Sequence, residues 1–264
     1  MNRIDAMFSR KREEGKKALI TFVTAGDPDV GTTRRIVLAL EAAGADLVEL
    51  GVPYSDPVAE GPVIQAANVR ALKNDVRLDT LFGLVEGLRA ETQMPLVFLM
   101  YVNCILQYGK DAFFSRCVSA GVDGVILPDL PLEESDEIHD VSARYGVHLI
   151  RLVAPTSGGR IETIAKKAEG FLYCVSSLGV TGIRSSFSTD FRDFFGRIDR
   201  ARTAPSAIGF GVSTPEQARE LSGFCDGVIV GSALVRRIGD AKDPEEAVRE
   251  AAAFTRLLRQ ALDA

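Results

Sequence analysis

The sequence predicts an α/β protein, a single (β/α)8 barrel of the TIM type spanning residues 1–264. Three observations lead there. Short β-branched runs alternate with longer amphipathic segments from end to end, and eight such pairs can be counted. Divided among eight units, 264 residues give about 33 each, close to the ~250-residue size of such a barrel. The runs are apolar throughout, as expected of parallel strands that helices cover on both faces. An open doubly wound sheet is the competitor, but it carries a glycine-rich dinucleotide turn after its first strand. Thr24-Ala25-Gly26-Asp27-Pro28-Asp29 is not such a turn.

The strands are expected at 18–24 (ALITFVT), 47–52 (LVELGV), 95–102 (PLVFLMYV), 124–129 (GVILPD), 147–153 (VHLIRLV), 171–176 (FLYCVS), 206–210 (SAIGF) and 226–231 (DGVIVG). An extra helix precedes the first strand. Helices follow at 31–43, 79–91, 110–120, 134–145, 159–168, 188–200, 215–222 and 244–262. The last carries Ala247, Val248, Ala251, Ala252, Phe254, Leu257, Leu258 and Leu262 at helical spacing. Thr214-Pro215 and Asp243-Pro244 each place an N-cap candidate before proline at the first helical position. No linker or low-complexity tract divides the chain.

Composition narrows the function. Hydrophobic residues at 46% and charged residues at 25% suit a soluble globular chain with a sizeable core. A net charge of −5 argues against a nucleic-acid partner, which requires a basic face. His139 and His148 stand at no metal-ligand spacing, which argues against a zinc enzyme. Cys104, Cys117, Cys174 and Cys225 are scattered and mostly lie in apolar runs, so they read as reduced thiols. The N-terminus lacks a signal-peptide stretch, and no window reaches the length of a membrane span. The expected location is the cytoplasm.

In such a barrel the active site forms at the C-terminal ends of the strands. Glu49 interrupts the apolar run Leu47–Val52, sharing a face with Leu47. It must lie either in the barrel mouth or among the helices. Desolvation there raises a carboxyl pKa towards neutrality, which suits proton exchange; a structural ion pair is the alternative. Glu60 follows in a loop, 53–62, that three prolines stiffen. Two carboxyls in different surroundings can divide acid and base work, although a loop glutamate alone is ordinary surface.

The late strands run into glycine turns at 176–182 (SSLGVTG), 209–213 (GFGVS) and 231–235 (GSALV). The last resembles the start of a short phosphate-binding helix. Glycine lets backbone N–H groups approach an anion, and a helix N-terminus favours negative charge. Three such turns at consecutive late strands point to a phosphorylated ligand. Phe22, Leu99, Leu127 and Phe210 lie near strand ends and could line an apolar pocket beside it, or serve only as core.

These residues resemble the tryptophan synthase alpha-subunit family across nearly the whole chain. The most specific stretch is ELGVPYSDPVAEGPVIQ at 49–65, supported by FVTAGDP at 22–28, LMYVN at 99–103, GVTG at 179–182, GFGVSTPEQ at 209–217 and GSALV at 231–235. The resemblance implies retro-aldol cleavage of indole-3-glycerol phosphate to indole and glyceraldehyde 3-phosphate. It implies Glu49 as the proton shuttle, Glu60 as acceptor of the indole N–H, and Tyr173 beside the reacting carbon. It also implies a phosphate site of Gly182, Gly211, Gly231 and Ser232, and an indole slot of Phe22, Leu99, Leu127 and Phe210. Glu60 departs from the aspartate common in the family and is one methylene longer.

The resemblance further implies a beta-subunit partner in a heterotetramer of two alpha and two beta chains. That partner would carry pyridoxal phosphate and receive indole by channelling; this chain would need no cofactor. Loop 53–60 would meet the partner and segment 177–187 would close over substrate, with Asp129 and Thr181 linking the two. Other readings are a different phosphate-binding barrel enzyme, a stand-alone indole-glycerol-phosphate lyase, and a non-catalytic regulatory partner of the beta chain.

Overall fold

The computed structural model describes residues 1–175, 191–209 and 211–264. Eight parallel strands close into a barrel in chain order. They are β1 (Ala18–Thr24), β2 (Leu47–Gly51), β3 (Leu96–Leu99), β4 (Gly124–Ile126), β5 (His148–Val153), β6 (Leu172–Val175), β7 (Ser206–Gly209) and β8 (Gly227–Val230). The first half of the helical layer is α1 (Arg3–Glu13), α2 (Val30–Ala42), α3 (Pro62–Leu72), α4 (Leu78–Arg89), α5 (Val102–Tyr108) and α6 (Lys110–Ala120). It continues with α7 (Asp136–Arg144), α8 (Ile161–Lys166), α9 (Phe191–Asp199), α10 (Pro215–Ser222), α11 (Ser232–Asp240) and α12 (Pro244–Asp263). Positions 188–190 of the helix expected at 188–200 and the turn expected at 176–182 lie outside the described residues.

Strand alternation separates two apolar layers. Ala18, Ile20, Leu47, Val97, Ile126, Ile150, Phe171, Ala207 and Ile229 face inward, while Leu19, Val23, Val48, Leu50, Leu149 and Val153 meet the helices. The extra helix α1 closes the barrel floor, burying Ile4, Met7 and Phe8 in the inner cluster. Each such side chain stabilises by roughly 1.5–3 kcal/mol. Two carboxylates fasten this end. Asp46 accepts from Leu19 N at 2.9 Å and pairs with Lys11 and Arg259. Asp123 accepts from Leu96 N at 2.9 Å and pairs with Arg3 and Arg89. The caps form as expected: Thr214 accepts from Gln217 N, and Asp243 accepts from Glu246 N.

Differences from expectation gather at the strand exits. The expected strand 95–102 ends at Leu99, because Tyr101 becomes the N-cap of α5. Helix α3 begins at Pro62, within a stretch whose prolines read as loop. Proline fits there because the first helical position needs no N–H donor.

Candidate active site

The β1–β2 register sets Glu49 against Phe22, and the β2–β3 register sets it against Val97. Glu49 therefore follows Leu47 on the inner face, one step nearer the C-terminal mouth. It is 0% exposed, and among the described residues neither carboxylate oxygen has a hydrogen-bond partner. Burial pushes its pKa from 4.5 to about 8. At neutral pH such a group holds its proton yet can release it to a modest base.

Tyr173 enters the same space from β6. It is 4% exposed, and burial followed by the nearby Glu49 charge raises its pKa well above the usual tyrosine value. The cavity between them measures about 50 Å³. Phe22, Ile64, Leu99, Leu152, Val212 and Ile229 supply its apolar walls, with Ala59, Glu60 and Pro128 on the loop side.

Glu60 reaches this cavity from the β2–α3 loop and is 8% exposed. Tyr101 donates its hydroxyl to Glu60 Oε2. The same phenol oxygen accepts the backbone N–H groups of Val58 at 2.8 Å and Ala59 at 2.9 Å. Burial raises the Glu60 pKa, and the bond from Tyr101 partly offsets that rise. Gln65 Nε2 donates to the Glu60 carbonyl at 2.8 Å, fixing the loop against the first turns of α3.

Gly211, Gly231 and Ser232 also line the cavity. Helix α11 starts at Ser232 with no side-chain cap, and the N–H groups of Leu234 and Val235 turn back to the Gly231 carbonyl. The positive end of the α11 dipole therefore lies beside the apolar slot, where it favours negative charge. Gly211 holds φ at +84°, a conformation that a side chain would strain.

The structure thus brings Glu49, Glu60, Tyr173, Phe22, Leu99, Gly211, Gly231 and Ser232 to one cavity. Leu127 is not among its walls. It belongs to the outer cluster and lines a neighbouring cavity, because alternation along β4 and its exit turns Ile126 and Pro128 inward instead. Asp129 also lines the neighbouring cavity and accepts the Val102 N–H at 3.1 and 3.2 Å, anchoring the start of α5. Thr181, Gly182 and Phe210 lie outside the described residues. Sequence reasoning missed Tyr101, whose signal was its place in LMYVN at a strand exit.

An apolar cavity at the C-terminal mouth of a (β/α)8 barrel, holding a buried acid of raised pKa and a second carboxyl, is the active-site arrangement of a barrel enzyme. A family model for the tryptophan synthase alpha chain matches residues 8–263. The chain belongs to the tryptophan synthase alpha chain family, whose reaction is the retro-aldol cleavage of indole-3-glycerol phosphate. The alpha chain of Thermoanaerobacter pseudethanolicus is 49% identical over 262 residues, covering 99% of this chain and 100% of that one. That of Synechococcus elongatus is 47% identical over 265 residues, with coverage of 100% and 98%. Among solved structures, the Legionella pneumophila alpha chain superposes with a TM-score of 0.90 at 38% identity, covering 100% and 98% of the two chains. Tryptophan synthase from Mycobacterium tuberculosis gives 0.90 at 34% identity, covering 100% and 99%. Membership of the alpha chain family implies a beta chain as partner.

Proposed function

We propose that Glu49 carries the protons of the cleavage, that Glu60 holds the indole N–H, and that Tyr173 packs beside the reacting carbon. The phosphate of indole-3-glycerol phosphate sits on Gly211, Gly231 and Ser232, with Gly182 contributed by the turn after β6. Phe22 and Leu99 hold the indole ring. The observation that carries this reading is the buried, unbonded Glu49 carboxyl with its pKa near 8.

The chemistry follows from that state. Protonated Glu49 delivers a proton to indole C3 as electrons move from the ring nitrogen into the ring. Glu60, accepting the N–H, stabilises the positive charge that develops there. The Glu49 carboxylate then takes the proton of the adjacent glyceryl hydroxyl. The carbon–carbon bond breaks, its electrons restore the indole ring, and the hydroxyl carbon leaves as the aldehyde of glyceraldehyde 3-phosphate. Tyr101 keeps the long Glu60 arm aimed at the slot.

Indole passes to the beta chain, in an assembly of two alpha and two beta chains whose pyridoxal phosphate belongs to the beta chain. Val58 and Leu106 support docking at this end of the barrel: they are 73% and 53% exposed, on the loop before α3 and on α5. Loop 53–60 and Asp129 are the coupling elements in this reading, together with Thr181, and the setting is the cytoplasm. The test is indole release from indole-3-glycerol phosphate by the chain alone and with a beta subunit, with Glu49→Gln as control. Weak release, strong activation by the partner and an inactive variant are expected. Fast release without a partner would instead identify a stand-alone lyase, and no release in either condition would overturn the assignment.

A further inference from the structure

Next to the active site lies a second, larger cavity of about 390 Å³ between the exits of β4 and β5. It shares Pro128 and Leu152 with the active-site cavity. Arg151 is the unusual residue in its wall. It occupies an outward position on β5 between Leu149 and Val153, both members of the outer apolar cluster, and is only 7% exposed. Neighbouring positions on that face are apolar because helices cover them, and a guanidinium placed there loses hydration that must be replaced.

The replacement is incomplete. Arg151 Nε donates to the Lys167 carbonyl at 3.0 Å and Nη1 donates to Ser135 Oγ at 2.7 Å. Both acceptors are neutral. No ion pair joins Arg151 to a carboxylate among the described residues, and Glu169 and Asp136 act on it only from farther away. Burial accordingly lowers its pKa more than those charges raise it. The two bonds leave the rest of a five-donor fork, whose geometry suits two oxygens of one oxyanion.

The surrounding wall is polar where an anion would need it. Arg160 adds a second cation, paired with Glu133 at 3.0 Å. Ser157 adds a hydroxyl that accepts from Ala154 N. The acidic member of the wall, Asp129, is turned to the Val102 N–H. We propose that this cavity is a second anion subsite, which seats a small phosphate or carboxylate against Arg151. It is separate from the helix end at Gly231 and Ser232, since β5 and β8 are three strands apart in the barrel. The proposal does not depend on the catalytic roles given above.

Backbone-amide NMR on the full chain, titrated with inorganic phosphate and separately with acetate at constant ionic strength, tests it. Saturable shifts at residues 149–153 and 157–160 are expected, distinct from the phosphate response at 231–235. Saturation by phosphate alone identifies a phosphate ester as the ligand class, and saturation by acetate alone identifies a carboxylate. Arg151→Met should weaken the 149–160 response at least roughly tenfold while the 231–235 response persists, which also shows that the variant is folded. Arg151→Lys, with the charge but not the fork, should fall between. Absence of saturable shifts at 149–160 with either anion in the wild type would overturn the proposal. So would an undiminished response in a folded Arg151→Met, because Arg151 would then be only a clamp between α7 and α8.

Discussion

The Tyr101 hydroxyl donates to the Glu60 carboxylate while it accepts two backbone N–H groups from the same loop, those of Val58 and Ala59. One phenol at the exit of β3 thereby fixes both the position of the second acid and the path of the segment that bears it. The Tyr54 ring, 4.7 Å from that of Tyr101, braces the phenol from the start of the loop. Burial, then the bond to Glu60, raises the Tyr101 pKa above the ordinary tyrosine value. The phenol stays protonated and remains a donor at every working pH.

Tyr101→Phe should therefore lower turnover without unfolding the barrel. It removes a donor from Glu60 and an acceptor from two amides, a loss worth roughly 1–3 kcal/mol where the groups are largely buried. That corresponds to a fall in kcat of about ten- to a hundredfold. With the bond from Tyr101 gone, burial acts on Glu60 with less opposition, so the acidic limb of the pH–rate profile should move to higher pH. Unchanged kcat together with an unchanged acidic limb would remove Tyr101 from the positioning of Glu60.

Glu49 links activity to stability with a definite sign. Its pKa is 4.5 in the unfolded reference and about 8 in the folded chain. Between those values the unfolded chain has lost a proton that the folded chain keeps, so stability falls as pH rises across that window. Glu49→Gln is neutral throughout and should flatten this slope. By about pH 8 it should be more stable than wild type by on the order of 2–4 kcal/mol, while losing roughly 10²–10⁴ in turnover. Denaturant titrations of both proteins at several pH values check the first part, and indole release checks the second. Parallel pH–stability curves would mean that Glu49 is not held neutral by the fold.

Both histidines meet one carboxylate at the barrel floor. His139 Nε2 contacts Glu169 Oε1, His148 Nδ1 lies 3.7 Å from Glu169 Oε2, and His148 Nε2 is 3.0 Å from both Asp5 oxygens. The group thus joins α1, α7, β5 and the turn before β6. Burial alone would lower the His148 pKa, but its bonds to Glu169 and Asp5 outweigh that and raise it. Glu169 falls to about 2, chiefly through the bond from His148.

A raised histidine contributes stability that is complete below its unfolded value and lost as pH rises through the folded one. A depressed glutamate contributes stability that is present above its unfolded value and lost as pH falls towards 2. Docking of α1 should accordingly be firmest from about pH 4.5 to 6.5. Hydrogen exchange at Ile4–Phe8 should quicken beyond its intrinsic pH dependence as pH rises past that range. His148→Gln should remove this excess, and an excess that persists in the variant would exclude His148 as its source.

Legibility in the sequence followed the strength of the local pattern. Long apolar runs fixed the strands, and Glu49 stood out because a charge interrupts one of them. Leu127 was misjudged because nearness to a strand end does not reveal side-chain direction: one residue of offset puts Pro128, not Leu127, into the cavity. Tyr101 was hidden because aromatic and β-branched neighbours make 95–102 look like one continuous strand. Helix α3 was hidden because it buries Ile64, Ala67, Asn68 and Ala71, too small and polar a stripe to stand out against the prolines before it. His139, His148 and Glu169 are separated in sequence, and only the packing of α7 and the pairing of β5 with β6 bring them together.

Gly209 supplies the last test, because its lack of a side chain determines where Tyr173 can lie. A Cβ at Gly209 would stand 2.7 Å from the Tyr173 hydroxyl oxygen, 2.9 Å from Cε1 and 3.0 Å from Cζ. Tyr173 is buried between β5 and β7, pairing in register with Leu152 and Ala207, so its ring cannot yield without disturbing the wall that faces Glu49. Gly209→Ala should cost roughly 1–3 kcal/mol of stability, as overpacking typically does, and turnover should fall with the displaced phenol. Tyr173→Phe removes the closest of the three contacts but keeps the ring. The double variant should therefore recover part of the stability lost by Gly209→Ala. Thermal unfolding of the four proteins in that cycle measures the coupling, and strictly additive effects would show that Gly209 and Tyr173 do not constrain one another.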